Sequence, residues 1–364
     1  MAGCTRPRIR LETNKRYKNQ QGKWSYKAVF QWAQQDRTYH EIVQIYNSLV
    51  KNGKYRNYDI IPCGKCLGCY LEKARDKAVQ LSLEKMNPEY KENEMWFITL
   101  TYEDDLLPIH SYVEATTGEV FSGCSTELKD LQNWIKKLRD NHPDKNIRYM
   151  AAREYGSHTL RPHYHLIIFG LPLDRELFVK IGNNANGDPL WTTPQLDNMI
   201  SKDCWSVRRP LGDRTAPMYK AGNVTIGEVT FQSISYVARY TMKKANKQYD
   251  SNWWYESQGL DIEGISQSQD LGKWYYDLHK EEIYQTDLVP VLGKNGEFSR
   301  PPRSFDRLYK MEYPEKFKEV IKRRKEKMLT SMMQKEAQTD MNYAEMLESE
   351  ELKTNQFKDI RSAI

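Results

Sequence analysis

The stretch RPHYHLIIFG, residues 161–170, decides the fold. His163 and His165 are two apart, and LIIF follows without a break. A short run of this kind, bounded by Pro162 and Gly170, reads as a β-strand. Side chains alternate along a strand, so both imidazoles share one face. Tyr164 turns the other way, into the packing face. Upstream, IRYMAAREY (147–155) is a second strand. The link between them, GSHTLRP, is rich in turn formers, so the two strands form a hairpin.

Further out, MWFITLTY (95–102) is rich in aromatic and β-branched residues and reads as another strand. STELKDLQNWIKKLRDN (125–141) opens on a Ser/Thr cap signal and spaces Leu128, Leu131, Ile135 and Leu138 as a helix does. TPQLDNMISK (193–202) is a short helix, VTIGEVT (224–230) a strand, and FQSISYVARYTMKKANK (231–247) a helix directly after it. This order predicts an α+β fold, an antiparallel sheet with helices on one face. KARDKAVQLSLEKM (73–86) precedes this core as a helix that ends at Asn87-Pro88.

The chain of 364 residues divides into three spans. Residues 1–92 carry a cysteine cluster, 93–250 hold the alternating core, and 251–364 form an extension. The extension contains the charge-dense helix EKFKEVIKRRKEKM (315–328) and a polar tail expected to be mobile. Hydrophobic residues at 39% suffice for a sizeable core, and a net charge of +6 favours a polyanionic partner. The 24 Tyr and 9 Trp, interleaved with cations, suit unstacked bases and phosphates as well as an amphipathic core. No apolar run approaches the roughly 18–20 residues of a membrane span, and the N-terminus lacks the apolar region of a secretory signal. Six clustered cysteines fit a reducing compartment with thiols used for metal better than a disulfide framework.

Two imidazoles side by side on a rigid strand make a metal clamp. Seven His in the chain give about 0.13 H-x-H pairs by chance, so the pair is a scarce signal, although two unrelated surface histidines would look the same. A divalent ion usually takes a harder ligand too, and Glu154 ends the strand before the pair. Tyr236 and Tyr240 lie one turn apart on the predicted helix, with Arg239 and Lys243 three residues after each. A tyrosine can attack a phosphodiester. With a pKa near 10 it is scarcely ionised at neutral pH, so a neighbouring cation must help. The tyrosine spacing alone carries little weight, since 24 Tyr give about 1.6 such pairs by chance. Cys63, Cys66 and Cys69 in PCGKCLGC are a far rarer pattern, with about 0.002 expected. C-x-x-C closes two thiolates on one metal, and a zinc site would add a fourth ligand, with Cys4 first and His40 behind it. An iron–sulfur cluster or no metal at all remains open.

ITLTYEDD (98–105), RPHYHLIIFG and YVARYTMKK (236–244) resemble motifs 1, 2 and 3 of the HUH endonucleases, the rolling-circle replication initiators. The paired tyrosines and the upstream P-C-G-K-C cluster resemble the initiators of small icosahedral single-stranded DNA phages, the Microviridae, and within them the gokushovirus branch. LGKWYYDLHKEEIY (271–284) resembles a degraded form of that family's Gly-rich stretch. The resemblance is closest over 93–250.

It implies an RRM- or ferredoxin-like core that binds single-stranded DNA at the replication origin. It implies Mg²⁺ or Mn²⁺ on His163 and His165 with Glu154 completing the site. Tyr236 and Tyr240 match both nucleophile positions, and Arg239 and Lys243 match basic positions beside them. The implied reaction nicks the origin through a 5′-phosphotyrosine and later rejoins it, in the cytoplasm of a bacterial host whose helicase and polymerase do the rest. Arg239 stands where Lys is common, and 271–284 lacks a Pro-Gly turn. A transposase or plasmid relaxase with the same site, and a non-catalytic zinc-stabilised DNA-binding protein, are the alternatives.

Overall fold

The computed structural model describes residues 7–20, 22–33, 39–64, 66–156, 159–184, 187–210, 212–213, 215–240, 252–292 and 297–338. In chain order the first elements are β1 (Arg8–Lys18), β2 (Trp24–Trp32), α1 (Tyr39–Lys51), β3 (Asn57–Ile61) and α2 (Leu67–Lys85). There follow β4 (Met95–Leu100), β5 (Ile109–Val113), β6 (Val120–Cys124), α3 (Leu128–Asn141), β7 (Arg148–Tyr155) and β8 (Pro162–Phe169). Next come β9 (Val179–Asn183), β10 (Pro189–Thr192), α4 (Pro194–Asp197), β11 (Ser206–Arg208), β12 (Met218–Lys220), β13 (Val224–Gly227) and α5 (Phe231–Arg239). The last are α6 (Asn252–Ser257), β14 (Gly264–Gln267), α7 (Lys273–Thr286), β15 (Val289–Pro290), β16 (Phe298–Ser299), α8 (Arg303–Glu312) and α9 (Pro314–Gln338).

These elements form two compact units, Met1–Lys73 with Lys310–Ile364, and Ala74–Tyr309. The sequence reading divides the chain at 92 and 250 instead. In the first unit β1 is the middle strand of an antiparallel sheet of order β2-β1-β3. Ile9 and Leu11 of β1 and Ile60 of β3 are buried with Ile42 and Tyr46 of α1. This packing consumes one face of the sheet.

The second unit is built on a seven-stranded sheet of order β14-β7-β8-β4-β13-β10-β9. Its pairings are antiparallel throughout. The α+β class and the antiparallel sheet are therefore as expected. The helices cover both of its faces, a wider cover than a one-faced arrangement. Trp96, Ile98 and Leu100 of β4 and Tyr164, Leu166 and Ile168 of β8 pack with Leu131, Trp134, Ile135 and Leu138 of α3. On the opposite face, Met150 and Ala152 of β7 and Ile167 and Phe169 of β8 pack with Leu81 of α2 and Ile234 and Val237 of α5. Ile167, Ile234 and Val237 are fully buried, and each such aliphatic chain contributes on the order of 1.5–3 kcal/mol of burial.

Two local features fix the strand that carries the histidines. The Tyr164 hydroxyl donates to the Glu127 carbonyl at 2.8 Å and accepts from the Glu127 N–H at 2.9 Å. It also meets the Tyr102 hydroxyl at 2.9 Å, which donates in turn to buried Asp130. The residue between the two histidines thus pins β8 to the start of α3. The cap of α3 is the Glu127 side chain, which accepts from the Lys129 N–H, rather than Ser125. Ser125 and Thr126 are buried against the Tyr155 hydroxyl instead.

Candidate active site

The site forms on the sheet face that α5 crosses. β8 presents His163 and His165 there, and both neighbouring strands add to it. Across the β7 pairing Glu154 is the Cα partner of His163, and across the β4 pairing Thr99 is the Cα partner of His165. The Glu154 Oε2 atom lies 3.4 Å from His163 Nε2 and 3.3 Å from His165 Nε2. Ligand atoms from these three residues fall within 4.8 Å of one another.

The outer nitrogens hold the rings in place. His163 Nδ1–H donates to the Arg161 carbonyl at 3.0 Å, because a carbonyl can only accept. In the neutral ring this leaves the lone pair on Nε2, the atom turned toward Glu154. A lone pair facing a carboxylate oxygen at this range calls for a proton or a cation between them. His165 Nδ1 is hydrogen-bonded to Thr99 Oγ1 at 2.9 Å. Both histidines therefore have the outer support typical of metal ligands. The donor set of two imidazoles and one carboxylate suits a divalent ion. Asp104, by contrast, is exposed and pairs with Arg161. Among the described residues, neither it nor Asp105 joins the cluster.

Helix α5 brings the tyrosines. Thr230 caps it, accepting from the Ser233 N–H at 3.2 Å while Ser233 Oγ accepts from the Thr230 N–H at 2.8 Å. Lys85 of α2 donates to the Val229 carbonyl just before that cap. With Ile234, Val237 and Ala238 buried, Tyr236 and Tyr240 fall at the histidine edge. The Tyr236 hydroxyl is hydrogen-bonded to His165 Nε2 at 3.2 Å. The Tyr240 ring stacks on His165 at 5.9 Å and meets Tyr236 edge-on at 5.1 Å. Burial, then the Glu154 carboxylate, pushes the Tyr236 hydroxyl up to about 12. Tyr240 is pushed further up, again by burial first and then by Glu154 and Tyr236. Tyr236 keeps 39% of its surface exposed, whereas Tyr240 is partly buried.

Arg239 ends α5 on the exposed side. Lys243 lies outside the described residues, as do the last residues of the helix expected to reach 247. Phe97, which the sequence reading passed over, lies parallel to the His165 ring at 5.8 Å. It shares the odd-numbered face of β4 with Thr99, so alternation along that strand was the signal for it.

In the other unit Cys63, Cys66 and Cys69 converge as a second cluster with sulfurs within 4.8 Å. Cys69 sits in the first turn of α2. The Gly64 N–H donates to Cys69 Sγ and the Cys66 N–H to Cys63 Sγ, each at 3.3 Å. Cys63 and Cys69 sulfurs are 3.8 Å apart, too far for a disulfide. Cys4 and the His40 side chain lie outside the described residues.

The family described as Replication-associated protein ORF2 matches residues 95–245. Replication-associated protein ORF2 of Spiroplasma virus 4 is 30% identical over 311 residues, 84% of this chain and 85% of that protein. The chain belongs to the phage replication-associated protein family. Replication-associated protein VP4 of Bdellovibrio phage phiMH2K is 28% identical over 287 residues, covering 77% of each chain. Replication-associated protein ORF4 of Chlamydia phage 1 is 26% identical over 242 residues, 66% of this chain and 52% of that protein. No solved structure matches. The span 95–245 runs from β4 through α5 and so contains Thr99, Glu154, both histidines and both tyrosines. The cysteine cluster of this phage replication-associated protein lies before it. Among the described residues, no helix is long and apolar enough to cross a membrane.

Proposed function

We propose that the chain is a site-specific endonuclease and ligase that nicks single-stranded DNA at the phage origin and initiates rolling-circle replication. The observation that carries this reading is the meeting of Tyr236, His165 and Glu154, a phenol hydroxyl 3.2 Å from an imidazole nitrogen that is itself 3.3 Å from a carboxylate. Kinship with phage replication-associated proteins favours it over a transposase or relaxase. The Tyr236 oxygen attacks the scissile phosphorus and its proton passes to solvent. The P–O3′ bond breaks, the 5′ phosphate stays on Tyr236, and the 3′ oxygen takes a proton to become the priming 3′-OH.

A divalent ion, Mg²⁺ or Mn²⁺, held by Glu154, His163 and His165 would polarise that phosphate and offset the Glu154 charge that raises both phenols. Tyr240 makes the second cut on the regenerated origin. The free 3′-OH then attacks the first phosphotyrosine and releases the phenol, so the bond energy is conserved and no nucleotide is consumed. Arg239 and Lys243 neutralise phosphates beside the tyrosines. Host helicase and polymerase supply unwinding and synthesis, in the host cytoplasm.

Origin-bearing single strand incubated with Mn²⁺ should give a covalent protein–DNA adduct. Tyr236→Phe with Tyr240→Phe, or a chelator, should abolish it. An adduct that persists in the double variant refutes the nucleophile assignment. The cysteine cluster is proposed as a structural zinc site with Cys4 as fourth ligand, supported by the converging sulfurs and the two N–H···S contacts.

A further inference from the structure

The sheet β2-β1-β3 buries Ile9 and Leu11 on one face. Its other face is unlike an ordinary solvated surface. In β2, Trp24, Tyr26, Phe30 and Trp32 fall on that side, two or four residues apart. Their Cα partners on β1 are Lys18, Arg16, Arg10 and Arg8. A shift in register between Glu12 and Arg16 preserves this phase.

Contacts follow the pairing. Lys18 Nζ is 5.6 Å from the Trp24 ring, the Arg16 guanidinium 5.1 Å from Tyr26, and the Arg8 guanidinium 5.8 Å from both Phe30 and Trp32. Arg56 adds a cation 3.8 Å over Tyr26. Trp24, Phe30 and Trp32 are 65%, 55% and 61% exposed. The carboxylates here are Glu12 and Asp59. Arg10 is 3.6 Å from Glu12 and 3.2 Å from Asp59, and Arg56 is 3.5 Å from Glu12. Five cations thus face two acids.

We propose that this face binds single-stranded DNA without sequence preference, stacking bases on Trp24, Phe30 and Trp32 while Arg8, Arg16 and Lys18 take the phosphates. The proposal rests on the reading of the chain as acting on single-stranded DNA. It adds a binding surface that shares no residue with the tyrosine site. Spacing selects the form of the nucleic acid. Same-face residues along a strand are about 7 Å apart. A strand stacked in a duplex advances only about 3.4 Å per nucleotide. Only an unstacked strand can meet successive rings. Charge selects the partner class. A second protein copy seated here would leave most of these cations without counter-charge, whereas a cation in each ring row matches the alternation of base and phosphate.

The test uses the full chain with Tyr236→Phe and Tyr240→Phe, so that nothing is cleaved, titrated with labelled oligo-dT. Affinity should fall as salt rises. Trp24→Ala, Phe30→Ala and Trp32→Ala together should weaken it at least about tenfold. Lys18→Glu should weaken it and flatten the salt slope. These side chains are exposed, and Trp24→Tyr should retain most of the binding. Unchanged oligo-dT affinity in the triple variant overturns the proposal. So does a triple variant whose sedimentation falls while oligo-dT affinity holds, since the occupant would then be a second copy. The adduct assay on the unsubstituted chain is read separately. If ring-dependent binding occurs without any adduct, this face is upheld and nicking is refuted. If adduct forms and binding ignores the rings, the reverse follows.

Discussion

Glu154 and His163 are Cα partners across β7 and β8. The carboxylate and the imidazole are therefore set by backbone register, not by a loop. A slip of one residue would send Glu154 to the α3 face and empty the cluster of its oxygen ligand. Tyr164, locked to Glu127, opposes that slip from the other side of the sheet.

The two tyrosines should not be equivalent on a first encounter with DNA. Tyr236 is the exposed one and already contacts His165, while Tyr240 is more enclosed. Tyr236→Phe alone should cut the first-round adduct by at least about 100-fold, and Tyr240→Phe by much less. Single-turnover assays with a 3′-labelled origin strand decide this. Equal losses in both variants would remove the asymmetry.

Thr99 should act on the metal through His165. Thr99→Val removes the 2.9 Å hydrogen bond to Nδ1 and should weaken Mn²⁺ binding about 10- to 100-fold. Thr99→Ser should restore it. The measurement is Mn²⁺ titration by electron paramagnetic resonance in the double-Phe chain, which separates binding from turnover. Wild-type affinity in the Val variant would show that the hydroxyl does not position the ring.

The cysteine cluster should carry one zinc per chain. Cys66→Ser should release it and lower the melting temperature, as should a strong chelator on the unsubstituted protein. Elemental analysis of purified protein is the check. Iron with visible absorption, or no metal at all, would reject the zinc assignment.

The hairpin of β5 and β6 should be tied down in a pH-dependent way. His110 lies 3.3 Å from Glu127 and 3.2 Å from Asp261. The hydrogen bond to Glu127 raises the His110 pKa above its ordinary 6.5. The same bond lowers Glu127 below its ordinary 4.5. For the raised histidine, stabilisation is complete below 6.5 and lost as pH rises through the folded value. For the depressed glutamate, it is present above 4.5 and lost as pH falls through the folded value. The melting temperature of wild type should exceed that of His110→Gln most in the interval between, and the gap should narrow as pH climbs toward about 8.5. A gap independent of pH would mean that His110 packs there without charge.

The parts legible from sequence were those whose pattern had one dominant cause. β4, β7, β8 and α3 declared themselves through apolar period, and the H-x-H spacing placed both imidazoles on one face. The cover on both sides of the sheet was readable too, because LIIF in β8 is a continuous apolar run and not an alternating one. β1 and β2 escaped because their alternation is inverted. The aromatic residues of β2 look outward, and only Ile9 and Leu11 of β1 face the core. β14 was missed because four residues, GISQ, carry too little pattern, although they pair with β7 over Met150–Arg153. The support of the histidines by Arg161 and Thr99 depends on register across strands, which no single strand's composition reports.

The order of elements along the chain also has a bearing on timing. β4 is made first, then the β7–β8 hairpin with Glu154 and both imidazoles, and only some seventy residues later the helix with Tyr236. The edge strand β14, which completes the sheet beside β7, emerges later still. A ribosome-bound chain can therefore assemble the acid–imidazole cluster before it possesses any tyrosine to set against it. The reactive assembly is withheld until the sheet is nearly whole, and a prematurely terminated product that stops before residue 231 lacks both of its phenols.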